Sequence, residues 1–205
     1  MAYVLMGLDV CSFMRKYRVQ LAYANKEGEQ SPINQCVAGP LANTKEFPEG
    51  VKFQMNILVR GEAATIEITR QPAKDMGVRY LPWEPNYCVY TRMDADAGIV
   101  FTGPLTGCNI YVAGPRDAPM LFHTNSNANA DNAALNNTAK RTATLNMLGQ
   151  NPMGLAANTL IGGQLERASY SNDFLGFVFG VKEANDWKFY FNGIGAGIST
   201  LRRIF

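Results

Sequence analysis

Alternation of apolar and polar residues dominates this chain. Over residues 51–60, Phe53, Met55, Ile57 and Val59 fall on one face and Lys52, Gln54 and Asn56 on the other. Ile66 and Ile68 repeat the pattern over residues 64–70, with Gly61-Glu62 as the connection, so a pair of strands is predicted. Residues 14–24 read as an earlier strand and 25–50 as a loop with little secondary structure. Residues 109–113 and 118–123 flank Gly114-Pro115-Arg116-Asp117, the pattern of a hairpin. A second hairpin is predicted from 174–182 and 187–192, after a strand at 159–170. Between the hairpins the character changes. Residues 125–140 are rich in Asn and Ala, and 141–148, with Ala143, Leu145 and Leu148 between polar residues, form the best helical segment. A partly ordered loop leading into a short helix is the alternative. Gly162-Gly163 signals a bulge or a close backbone approach.

Many short strands and few helices predict an α+β fold, a β-sandwich core of mixed sheets with surrounding helices and loops. At 205 residues with 47% hydrophobic content, the chain can bury its core as a single domain over 1–205. A formal charge of +2 is too mild to call for a nucleic-acid or anionic-membrane partner. The densest basic run, Arg15-Lys16-Tyr17-Arg18, alternates between faces if it lies on a strand and reads as a solvated edge. No apolar stretch approaches the ~18 residues of a membrane span. The start of the chain lacks a basic n-region and meets Asp9 early, which argues against a cleavable secretory signal. The four cysteines, Cys11, Cys36, Cys88 and Cys108, are scattered and read as thiols rather than disulfides. Without a Cys-x-x-Cys pair they make no recognisable zinc site, and no metal or organic cofactor is expected. Gly193, Gly195 and Gly197 lack the following helix of a nucleotide loop.

Candidate chemistry concentrates at Thr102-Gly103-Pro104-Leu105-Thr106-Gly107-Cys108 and the only histidine, His123. If Ala113 faces Ala118 across a four-residue loop, Cys108 stands directly across from His123. Opposed side chains then have Cβ atoms roughly 4.5–5.5 Å apart. An imidazole so placed takes the proton of a thiol whose free pKa is about 8.5, giving a thiolate–imidazolium pair that attacks a carbonyl carbon. Gly107 lets a substrate amide approach closely, and the Cys108 backbone N–H is positioned to hold an oxyanion. Thr102 offers a hydroxyl or a carbonyl to orient the His123 ring. A buried structural cysteine and a hydrogen-bonded structural histidine produce the same spacing. Tyr80, Trp83, Tyr87 and Tyr90 line a substrate groove or pack in the core.

Leu105-Thr106-Gly107-Cys108, the threonine six residues before the cysteine, and the histidine on the following strand resemble the active site of the cytotoxic necrotizing factor and Burkholderia lethal factor group of bacterial toxins. Leu81-Pro82-Trp83 precedes this run at a distance similar to that of a Leu-Pro-Trp segment in the lethal factor. The resemblance covers residues 80–124, with Thr106 in place of the usual serine, Pro104 added, and a cysteine-to-histidine interval closer to that of the necrotizing factor. It implies a deamidase-toxin-like sandwich in which Cys108 is the nucleophile, His123 the base and Thr102 the residue orienting the base. Thr106 and Gly107 then shape the substrate and oxyanion subsite.

The function expected on this basis is deamidation of a specific glutamine in a host protein, through a Cys-His thioester, with transglutamination as a side reaction. The alternatives are a cysteine peptidase and a non-catalytic β-sandwich binding module. The resemblance implies as partner a host protein, either a Rho-type GTPase or a translation-initiation RNA helicase. It also implies a monomer made in the bacterial cytoplasm and delivered into the host cytosol.

Overall fold

A computed structural model describes residues 4–5, 8–23, 43–46, 53–70, 77–83, 87–93, 95–105, 107–125, 133–149, 161–166, 169–170, 175–195 and 198–205. Within them, the chain is mostly β, with mixed sheets and two helices. In order come β1 (Val4–Leu5), β2 (Leu8–Asp9), α1 (Val10–Lys16), β3 (Arg18–Tyr23), β4 (Asn43–Glu46), β5 (Phe53–Arg60), β6 (Ala63–Arg70), β7 (Val78–Leu81) and β8 (Tyr87–Arg92). They are followed by β9 (Ile99–Thr102), β10 (Asn109–Ala113), β11 (Met120–Thr124), α2 (Ala133–Gly149), β12 (Ile161–Leu165), β13 (Leu175–Glu183), β14 (Asp186–Gly195) and β15 (Ile198–Arg203).

Two sheets carry the fold. The larger has the order β15-β14-β13-β9-β7-β5-β6-β3 and the smaller β12-β10-β11-β8-β4. Pairing is mostly antiparallel, but β3 with β6, β7 with β9 and β4 with β8 run parallel. The inner faces of the two sheets meet over one apolar layer: Leu81, Val100, Val178, Phe189 and Phe191 from the larger pack with Val89, Ile110, Val112, Leu121 and Leu165 from the smaller. On its other face the larger sheet encloses a second core, with Val19, Ile66, Ile68, Tyr80, Phe101 and Phe179 closed by Phe13 and Met14 of α1. This sheet curls, bringing β3 to β14 and β15, and the Asn192 amide donates to the Val19 carbonyl at 3.4 Å across the seam. No helix among the described residues is long and apolar enough to cross a membrane.

Several expectations are corrected. The strand expected over 14–24 divides into α1 and β3. Asp9 caps the helix by accepting from the Ser12 backbone at 2.9 Å, and Val10, Phe13 and Met14 are buried at helical spacing. Arg15 and Lys16 therefore close the last turn of a helix, where their charge suits the helix dipole, instead of alternating on a strand edge. Within the expected 25–50 loop, β4 adds an edge strand to the smaller sheet. The helix starts earlier than 141, and Leu145 is 43% exposed while Lys140 and Thr144 are buried with Leu148. A polar inner face explains why hydrophobic spacing misplaced it.

Gly162-Gly163 behaves as expected. The β10–β12 register shifts between Val112 and Ala113, opposite Gly163 and Ile161, leaving Gly162 as the extra residue. A Cβ on Gly163 would lie 2.6 Å from the Ile204 carbonyl oxygen, so the C-terminal segment approaches the bulge closely.

Candidate active site

The hairpin that carries the candidate pair has a register different from the one expected. Ala113 pairs with Met120, not Ala118, and Ile110 stands across from His123. Residues 114–119 form the loop. Gly114 turns it with φ 93, and the Ala118 N–H donates to the Pro115 carbonyl at 3.3 Å. Pro119 has no N–H to give the ladder, and its carbonyl accepts instead from Met93 at 3.0 Å. The displacement is two residues, which preserves the face because side chains alternate with a period of two. Cys108, just before β10, packs in the inner layer with Ile110, Val89 and Leu121, the face on which His123 lies. The two are thus diagonal rather than directly opposed.

The main chain around Cys108 is gripped from two sides. Lys140 of α2, only 1% exposed, donates from Nζ to the Gly107 carbonyl at 2.8 Å. The hydroxyl of Tyr170, also buried, donates to the Cys108 carbonyl. In a trans peptide C=O and N–H point oppositely, so fixing the Gly107 oxygen toward Lys140 turns the Cys108 N–H away from it. Helix α2 is itself anchored. Asn109 donates to Asn137 at 3.1 Å and to the Tyr111 hydroxyl at 2.9 Å, which in turn donates to Glu166 at 3.2 Å. Thr144 bonds Thr124 at 3.4 Å on the outer face of β11.

His123 is fully buried, and neither ring nitrogen has a hydrogen-bond partner among the described residues. Burial drives its pKa from 6.5 down to about 3; the nearby Leu81 carbonyl opposes this, the positive charge of Lys140 adds to it, and the Pro82 carbonyl again opposes it. The imidazole is therefore neutral at ordinary pH. The expected resting thiolate–imidazolium pair gives way to a neutral imidazole on the face that carries Cys108.

Thr102 lies on β9 of the larger sheet, paired with Leu81. Its hydroxyl accepts from the Val178 N–H at 3.0 Å and donates to the Gly103 carbonyl at 3.1 Å. That hydroxyl is committed to the backbone, and the carbonyls beside the imidazole are those of Leu81 and Pro82. Gly107 is buried beside the cysteine, whereas Thr106 lies outside the described residues. Of the groove candidates, Tyr80 and Trp83 pack against Gly103, where an added Cβ would lie 3.1 Å from the Tyr80 hydroxyl and 3.0 Å from Trp83 Cδ1.

Cys11, Cys88 and Cys108 stand outside any disulfide. Cys88 faces the opposite side of the smaller sheet, within reach of Thr124 at 3.3 Å, and burial raises its pKa. Cys36 lies outside the described residues. Among the described residues no group of three or more His, Cys, Asp or Glu is placed to hold a metal ion. Sequence reading missed Lys140, Tyr170 and Asn125.

Comparison with protein-family models and with curated proteins finds no match to this chain.

Proposed function

We propose that this chain is a cysteine-dependent amidohydrolase of the deamidase-toxin kind, a bacterial toxin or effector that converts a glutamine of a host protein to glutamate. The observation that carries the reading is a Cys108 outside any disulfide and a neutral His123 on one buried face, with the carbonyls on both sides of the nucleophile's Cα held by Lys140 and Tyr170. Such restraint is what a preorganised nucleophile requires.

In the proposed reaction His123 takes the thiol proton as Cys108 Sγ bonds to the carboxamide carbon, and the Cys108 N–H holds the developing oxyanion. The tetrahedral species collapses as His123 passes that proton to the departing nitrogen. Ammonia leaves and a thioester remains. Water then gives a proton to His123 and its oxygen to the carbonyl carbon. The C–S bond breaks, the proton returns to sulfur, and the side chain leaves as glutamate. A lysine amine in place of water gives the transglutamination side product. A Rho-type GTPase or a translation-initiation RNA helicase is the partner class this reading carries.

A second reading has its own support. Cys108 is 3% exposed within an apolar layer, as a structural cysteine of a β-sandwich binding module would be. The test is acid-quenched incubation with eukaryotic lysate. Wild type forms a hydroxylamine-labile adduct to a lysate protein that Cys108→Ala does not; its absence in a folded wild-type protein favours the binding module.

A further inference from the structure

The inner face at the end of β11 holds a second buried polar side chain besides His123. The Asn125 N–H donates to the Tyr87 carbonyl at 3.0 Å, continuing the ladder one step beyond the pairing of Thr124 with Cys88. Asn125 therefore projects to the same side as His123. Continuing the β10–β11 register past Asn109 and Thr124 brings Asn125 to the position across from Cys108. Thiol, imidazole and carboxamide converge on one face.

Asn125 is 1% exposed, and neither Oδ1 nor Nδ2 has a hydrogen-bond partner among the described residues. Neither ring nitrogen of His123 has a well-formed hydrogen bond among the described residues either, though the Leu81 and Pro82 carbonyls stand beside the ring. Burying such atoms unsatisfied is costly, and folded proteins seldom do so twice at neighbouring positions without a use for it. What completes an orphaned carboxamide is a group with one acceptor and one donor side by side. A primary carboxamide has that form.

Resting on the acyl-transfer reading above, the geometry points to Asn125 as the residue that distinguishes substrate amide from product acid at this site. Asn125 Nδ2 donates to the substrate carbonyl oxygen, and the substrate N–H donates to Asn125 Oδ1. A carboxylate has no proton for Oδ1 and presents a charge to a buried site, so the product is rejected. The same Nδ2–H supports the oxyanion as the carbonyl is attacked.

The test uses two alkylating reagents that differ only in this feature, iodoacetamide and iodoacetate. Each is displaced at carbon by Cys108 sulfur with loss of iodide. Rates at Cys108 are read by peptide mass spectrometry, with Cys11 on α1 as the reference for intrinsic reagent reactivity and Cys88 as the reference for burial. Asn125→Leu should lower the amide-to-acid rate ratio at Cys108 by about tenfold, the equivalent of one hydrogen bond. Its thermal midpoint should hold or rise, because an unsatisfied buried amide has been replaced by an apolar side chain of similar volume. Asn125→Ala, which removes both amide atoms without adding bulk, reads the same ratio if Leu does not fit. An unchanged ratio, while Cys108 still outpaces Cys88, overturns the role of Asn125 alone. A large fall in the midpoint of both variants also overturns it, since it makes the amide a structural group. Wild-type Cys108 reacting no faster than Cys88 overturns the acyl-transfer reading and this inference with it.

Discussion

The Lys140 ammonium donates to the carbonyl of Gly107 at 2.8 Å, joining the middle of α2 to the residue before Cys108. Through it the helix reaches the main chain beside the candidate nucleophile. Lys140→Met should leave that buried carbonyl unsatisfied and cost about 1–3 kcal/mol. If the bond also sets the geometry of the Cys108 peptide, alkylation of Cys108 should slow while that of Cys11 is unchanged. Thermal melts and peptide-level labelling read the two effects separately.

The imidazole share of the pH dependence comes from a single residue, because the chain contains one histidine. The folded pKa of about 3 lies below the usual 6.5, so between these values the unfolded chain binds a proton that the folded one does not. Stability from the neutral imidazole is complete above pH 6.5 and is lost as pH falls toward 3, at up to about 1.4 kcal/mol per pH unit. Urea midpoints at pH 4 and pH 7 should therefore differ more for wild type than for His123→Gln. Equal differences would mean that the imidazole titrates normally.

Thr102 separates two roles. Its hydroxyl ties β9 to the Val178 N–H of β13, so Thr102→Val should cost about 1–3 kcal/mol by orphaning that donor. Thr102→Ser keeps the bond. It should retain both the melting temperature and the reactivity of Cys108; a loss of reactivity without a loss of stability would give Thr102 a part at the imidazole.

The strand pair β5–β6 was legible because each strand buries one face and the two-residue period shows it, and β13–β14 because apolar runs flank a polar turn, although β13 is buried throughout Gly176–Val181. The α1 helix was not, since its stripe of Val10, Phe13 and Met14 spans barely a turn and runs straight into β3. Strands β7 and β9 are buried at every position, which erases alternation. Cys108 and His123 were visible as residue types, and their shared face followed from parity alone. Their register was not visible, because the loop between β10 and β11 takes in Ala118 and Pro119, and Pro119 has no N–H to give the ladder. Lys140 was hidden for a different reason: a charged residue in an Asn-rich stretch carries no sign that it is buried. Asn125 was hidden because its unsatisfied state is a property of the fold.

The glycine bulge gives a test of packing away from the site. Gly163→Ala places a Cβ against the Ile204 backbone oxygen, which no rotamer relieves, and should cost about 1–3 kcal/mol. Gly61→Asn, in an open turn at φ 60 that asparagine tolerates, should cost under about 1 kcal/mol. Comparable losses in thermal melts would contradict the close approach of the C-terminal segment.

The proposed activity is conversion of a protein glutamine to glutamate by Cys108. It is tested by quantitative proteomics of eukaryotic lysate treated with wild type or Cys108→Ser. A glutamine site should gain the mass of amide-to-acid conversion with wild type alone. New peptide termini without such a site would indicate a peptidase, and no change with a folded wild-type protein would contradict deamidation in favour of a binding module.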